Sequence, residues 1–242
     1  MKKYELTENH IKIDENTKLY QIRALKSFYI DEFTEIKTGQ LGGYVESEEN
    51  LSQQGSCWIY NNVKIRGNVK VYESAILCGA VRAYGNAKIH GECNIGGDIF
   101  ITGNAEIKGE ARIAAGGEIT GNTVIERMPY ITGNVYIAGD TLISGNVEIY
   151  GRCNIKNGKI LKQEDFLYLD HLSRGLGNIV LFKNNKNNIS VYEGYFNYTF
   201  NYEEFKEFIL NGALDRVGDK GKELYNQFFK VTDNYFSSDF NF

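Results

Sequence analysis

The sequence predicts a mainly β chain: a left-handed parallel β-helix with an N-terminal β cap and a small C-terminal α+β module. Three observations carry that expectation. From Trp58 to Lys159 the chain divides into seventeen six-residue units without a break in frame, WIYNNV, KIRGNV and KVYESA through to NIKNGK. The second residue of every unit is aliphatic, from Ile59, Ile65 and Val71 to Ile155. The fourth is usually Gly and the fifth often Asn.

Each feature has a physical reading. The sixth position is mostly small, so positions six, one, two and three alternate inward and outward as a short strand does. Positions four and five make a corner: Gly accepts positive φ without a Cβ penalty, and Asn tolerates it better than most residues. Three strand–corner units close one coil of a triangular prism. A six-residue period does not place the aliphatics on one helical face, which excludes a helical array. Between five and six coils, stacked at ~4.8 Å, make a column about 27 Å tall. Each buried aliphatic contributes on the order of 1.5–3 kcal/mol, enough to hold the column without metal or disulfide.

Residues 1–57 lie outside the repeat. YELTENHIKI and KLYQIRAL read as strands, and the segment reads as the cap over the open first edge of the stack. Residues 160–242 change character. GNIVLFKN and NISVYEGYFNYTF read as strands joined by KNNKNN. NYEEFKEFILNGAL reads as a helix with Asn201 and Glu204 spaced as a capping box, and KELYNQFFKVTDNYF as a second helix. The terminal YFSSDFNF reads as an exposed aromatic stretch that docks on the prism or on a neighbouring chain.

The 242 residues carry a net charge of −4, so bulk nucleic-acid binding is not expected. Cys57, Cys78, Cys93 and Cys153 form no CxxC pair and read as free thiols of a reducing compartment. The opening MKKYELTENHIKIDEN has no apolar core of a secretory signal, and no run approaches ~20 apolar residues. A cytoplasmic protein, with no membrane contact, is expected.

The hexads resemble the hexapeptide-repeat family. More closely, the x-[IV]-x-G-N-[AV] pattern and the lead-in LGGYVESEENLSQQGSCWIYNN resemble uncharacterised acyltransferase-like proteins of bacteria and phages. The resemblance covers about 100 residues. It implies a phage or mobile-element setting, a homotrimer packed through prism walls, and, for the enzymes of the family, a His general base with acyl-CoA bound between subunits. The chain offers only His10, His90 and His171, and no loop interrupts the hexads. His90, at the outward third position of KIHGEC, is the candidate base only under that alternative. As a lone outward His it reads more simply as a solvated side chain. No cofactor or metal is expected otherwise.

Every third hexad shares a wall. The wall beginning at 58 displays Trp58, Tyr60, Ile76, Cys78, Gly96, Ala114, Tyr130, Thr132 and Tyr150. This flat, weakly charged strip reads either as a trimer face or as a surface covered by the chain's own C-terminal module. The next wall displays Lys64, Arg66, Arg82 and Tyr84, and the third displays Lys70, Tyr72, Lys88 and His90. Cations alternating with aromatics can hold an anion such as a nucleotide; the simpler reading is a solvated surface of long side chains. One hexad is irregular: VIERMP puts Arg127, Met128 and Pro129 where a Gly-Asn corner and a small residue belong, which predicts a distorted corner and a lost ladder bond.

Three functions follow. The first is a non-enzymatic oligomeric binding protein that sequesters a small anionic ligand or inhibits a host defence protein. The second is an acyltransferase using acyl-CoA. The third is a scaffold presenting the C-terminal module.

Overall fold

The computed structural model describes residues 2–170, 177–194, 197–213 and 218–236. His171 and residues 237–242, most of YFSSDFNF, lie outside the described residues. The chain forms a parallel β-solenoid of about six turns with a helix-and-sheet module at its C-terminal end. Strands eighteen residues apart stack in register: Trp58 on Ile76 on Asn94, Lys64 on Arg82 on Phe100, Lys70 on Lys88 on Glu106. These are three walls, called here one, two and three. Inside run three aliphatic columns. Ile89, Ile107, Ile125 and Ile143 belong to wall three and are fully buried.

Backbone hydrogen bonds tie each coil to the next. In the unit KIRGNV, Lys64 N–H donates to the Val81 carbonyl at 3.0 Å, Arg66 to Ala83 at 3.0 Å, and Asn68 to Gly85 at 2.9 Å. This register stacks corner on corner. Gly91 has φ 81, and a Cβ there would stand 2.6 Å from the Gly109 backbone nitrogen. Both the dihedral and the close approach therefore require glycine. Glu73 (φ 60) and Arg127 (φ 70) adopt the same left-handed corner without being glycine. The Glu73 carboxylate accepts the Gly91 N–H at 2.8 Å, which helps to hold that corner.

VIERMP thus departs from expectation. Arg127 takes the standard corner dihedral, and Pro129 keeps its carbonyl in the ladder, accepting Arg112 N–H at 2.9 Å. At equivalent sites the N–H of Val63 and Ala105 turns back to the carbonyl three residues earlier, so a proline there need not remove a coil-to-coil bond.

Fifth-position amides between walls two and three form a second ladder. Asn68 donates to Asn86 (3.0 Å), Asn86 to Asn104 (3.0 Å), Asn104 to Asn122 (2.9 Å), and Asn122 to the carboxylate of Asp140 (2.8 Å). The donors all point one way, and the row closes on an acceptor-only side chain.

Parallel stacking begins before the first hexad. Leu41–Val45 pairs with Lys64–Ile65 at a spacing of twenty residues, and Leu51 bridges Val71. Tyr4–Lys12 and Lys18–Ala24 form an antiparallel pair that joins the outer edge of Leu41–Val45. A short hairpin, Phe28–Tyr29 with Glu35–Ile36, folds beside wall one.

At the other end the six-residue frame slips by one. Leu142 pairs with Lys159 and Ile143 with Ile160, a spacing of seventeen. Gly158 takes the inward place, and Leu161, which the frame would point inward, is exposed. Beyond it Phe166–Leu169, Ile179–Lys183, Ile189–Glu193 and Tyr198–Asn201 form a four-stranded antiparallel sheet. Phe166, Val180, Phe182 and Tyr192 join the column's core and seal its last coil. The sheet's other face packs on helices α1 (Tyr202–Phe208) and α2 (Gly218–Phe236) through Phe205, Tyr225 and Phe229. Asn201 caps α1 as the sequence predicts: its side chain accepts Glu204 N–H at 2.9 Å.

Two substitutions separate the core from the amide row. Ile107→Ala, in mid-column, is expected to cost about 2–5 kcal/mol. Asn104→Ala, which interrupts the row at an exposed corner, is expected to cost about 1 kcal/mol. Urea denaturation of both variants checks the order.

Candidate functional site

Wall one is not the flat strip that its residue list suggests. Trp58 is fully buried, its ring edge-on to Phe28 of the hairpin at 5.7 Å, and Tyr60 is half-buried. Trp58 is therefore unavailable as a packing residue. At the other end Tyr150 leans on Phe166 (6.2 Å) and Tyr168 (5.3 Å) of the C-terminal sheet. The chain overhangs both ends of the wall, and the middle is left as a groove of about 830 Å³.

Small residues make its floor. Cys78 is half-buried, Gly96 is buried, and Ala114 is exposed. A Cβ on Gly96 would stand 2.9 Å from the Cys78 sulfur, so glycine there makes room for the thiol. Ile30, Asp31 and Glu32 of the hairpin form one bank, with Ser74, Glu92 and Arg112 also along the groove. The Asp31 carboxylate accepts the N–H groups of Phe33 (2.8 Å) and Thr34 (2.7 Å), which fixes the turn and holds its carboxyl below the usual range. Phe33, 90% exposed, is held at the tip of that fixed turn. Tyr130 and Thr132 lie further along the wall, where Thr132 Oγ1 donates to the Ala114 carbonyl at 3.2 Å. The hairpin carries no hexad, which is why the repeat gave no hint of this groove.

The basic and aromatic residues predicted as an anion site lie on two walls, separated by the Asn68–Asn86 corner. Most of their charge is already matched. On wall two Arg66 lies 3.9 Å from Asp14 and stacks over Tyr84 at 5.0 Å; Arg82 pairs with Asp98 at 2.5 Å and stacks over Phe100 at 4.9 Å. On wall three Lys70 pairs with Glu49 at 2.7 Å, which holds that carboxyl low. Among the described residues, Lys64 and Lys88 have no carboxylate within 4.0 Å. The acids Asp14, Glu49 and Asp98 are remote in sequence from the cations they meet, so hexad spacing could not reveal these pairs.

His90 is not a solvated side chain. It stacks flat on Tyr72, centroids 4.5 Å apart and planes 9° from parallel, and its side chain is 16% exposed. Nε2 lies 3.1 Å from Glu106 and Nδ1 3.5 Å from Glu73. The hydrogen bond from His90 is the main reason that the Glu106 carboxyl sits below its ordinary range. A general base needs a ring nitrogen open to substrate; here each nitrogen faces a carboxylate. Lys108 continues the row to Glu106 (3.7 Å) and Glu126 (3.4 Å). His10, on the first strand, holds the Glu8 carbonyl at 2.9 Å and lies far from this row in the N-terminal sheet.

No protein-family model matches this chain, and no curated sequence matches it. Among the described residues no group of three or more His, Cys, Asp or Glu could hold a metal ion, and no helix is long and apolar enough to cross a membrane.

The groove makes one thiol distinct. Cys57, Cys93 and Cys153 are buried, and burial pushes the last two up to about 12. Cys78 is the half-exposed one, with burial raising its thiol more modestly. Ellman's reagent is expected to titrate one thiol per native chain rapidly, at a rate that still climbs above about pH 9. Cys78→Ser should abolish this phase; a second fast thiol would contradict the burial described here.

Proposed function

We propose that the protein is a non-enzymatic binding protein whose wall-one groove receives an extended, basic segment of another protein. The observation that carries this reading is the groove's chemistry. Its floor is small enough for a chain to lie close, and the acids Asp31, Glu32 and Glu92 outnumber the one base, Arg112. Complementary charge favours encounter and selects against acidic competitors. The bacterial and phage resemblance favours a host protein as the partner and inhibition of a defence protein as the consequence. A small anion is the weaker ligand, because three of the cations meant for it are already paired. Acyl transfer is weaker again, because His90 faces a carboxylate at each nitrogen.

A second reading keeps the trimer. Tyr130, Tyr150 and the neighbouring Met128 are exposed low on the column, where a second copy could cover them. Light scattering at about 100 µM discriminates: three times the chain mass supports self-association, and one chain mass rejects it.

The groove reading is tested by capture from host lysate with the native chain and with Glu32→Lys/Glu92→Lys. The expected outcome is a partner whose capture falls at least tenfold on charge reversal and whose binding slows the Ellman reaction of Cys78. A partner captured equally by both chains, with Cys78 reacting as in the free protein, would sink it.

A further inference from the structure

A separate recess lies on wall two, where one column holds Arg82, Phe100, Glu118 and Tyr136 in register. Arg82 covers one face of the Phe100 ring at 4.9 Å, so the opposite face looks along the column toward Glu118. Tyr136, exposed, stands two coils from Phe100, a backbone separation of ~9.6 Å. A cation at the Glu118 level would lie ~4.8 Å along the stack from each of these two backbone levels, a spacing compatible with the ~6 Å reach of a cation–π contact.

The layer between the rings is left open on one side. Glu118 leans toward Thr102, whose hydroxyl donates to it at 3.1 Å. On the other side the corner column runs Asp98, Gly116, Asn134 and lacks a side chain at its middle member. A Cβ on Gly116 would meet nothing nearer than 3.7 Å. The next residue, Gly117, has φ 103, and its Cβ would collide with the Val135 carbonyl. Two adjacent glycines therefore interrupt two columns at one level, one by necessity and one into free space. The recess is about 610 Å³, lined by Phe100, Glu118 and Tyr136 with Asn134 over the Gly117 floor, and by Arg82, whose charge is matched by Asp98 on the same wall. Among the described residues Glu118 has no cation within 4.0 Å, while Asp98 is matched by Arg82.

We propose that this notch binds a methylated ammonium group between Phe100 and Tyr136, with Glu118 as its counter-charge. A quaternary ammonium suits two aromatic layers and one carboxylate better than a small hydrated metal cation, because its weakly hydrated methyl surface gains from the rings. The group can belong to a free small molecule or to a methylated lysine; the chemistry recognised is the same.

The test is titration of the full chain with tetramethylammonium chloride, followed by the ring-proton NMR shifts of Tyr136 and Phe100. Sodium chloride at equal ionic strength and neutral tert-butanol serve as controls. Saturable shifts with tetramethylammonium alone are expected. Glu118→Gln and Tyr136→Ala should each weaken binding about tenfold, the second by removing one ring. Should Tyr136→Ala fail to fold, Tyr136→Leu takes its place, keeping the bulk without the ring. Linear shifts matching sodium chloride, equal binding of tert-butanol, or affinity unchanged in these variants would overturn the proposal. Choline and a trimethyllysine peptide then distinguish the two sources by which binds more tightly.

Discussion

Odd-numbered positions of each hexad donate their N–H groups to the following coil, and the rest of the molecule is arranged to keep that ladder in register. An eighteen-residue spacing superposes corner on corner, so corner backbones approach too closely for an ordinary side chain in the left-handed region. Glycine answers both demands at Gly91. Glu73 and Arg127 hold the same dihedral without being glycine, stacked between coils above and below. Local preference is weak beside a ladder that continues above and below.

The same register turns the outer surface into columns. Side chains that are neighbours in space are eighteen residues apart in the chain, so each wall carries one-dimensional rows: amides along one corner, a Tyr–His–Glu–Lys row on wall three, and a cation–aromatic–acid row on wall two. Like charges stacked directly would repel. Lys64 over Arg82 and Lys70 over Lys88 are such stacks, and acids drawn from elsewhere offset them: Asp14 from the N-terminal sheet, Glu49 ahead of the first hexad, Asp98 from a corner. Arg66, Lys70 and Arg82 are thereby matched, while Lys64 and Lys88 keep no carboxylate within 4.0 Å among the described residues.

A column of stacked strands has two ends, and both are covered by non-repetitive chain. That covering also shapes the walls. The hairpin that buries Trp58 also raises a bank beside wall one, and the sheet that seals the last coil also leans on Tyr150. A groove results on a wall that would otherwise be flat.

The sequence by itself determined the column. Its period and inward aliphatics are local and repeated seventeen times, with glycine at most of the corners, so the coil is legible from the hexads, as is the Asn201–Glu204 cap. It also determined which residues share a wall, which is why Cys78, Gly96 and Ala114 could be grouped, and Lys64 with Arg82. The tertiary structure decided what each wall meets. The burial of Trp58, the pairing of Arg82 with Asp98, the two carboxylates around His90 and the one-residue slip at Gly158 arise from contacts between segments that share no period. Repetition fixes a backbone because each coil sees the same neighbours; a site depends on where that sameness is broken, and only the folded chain brings the breaking segments to the wall.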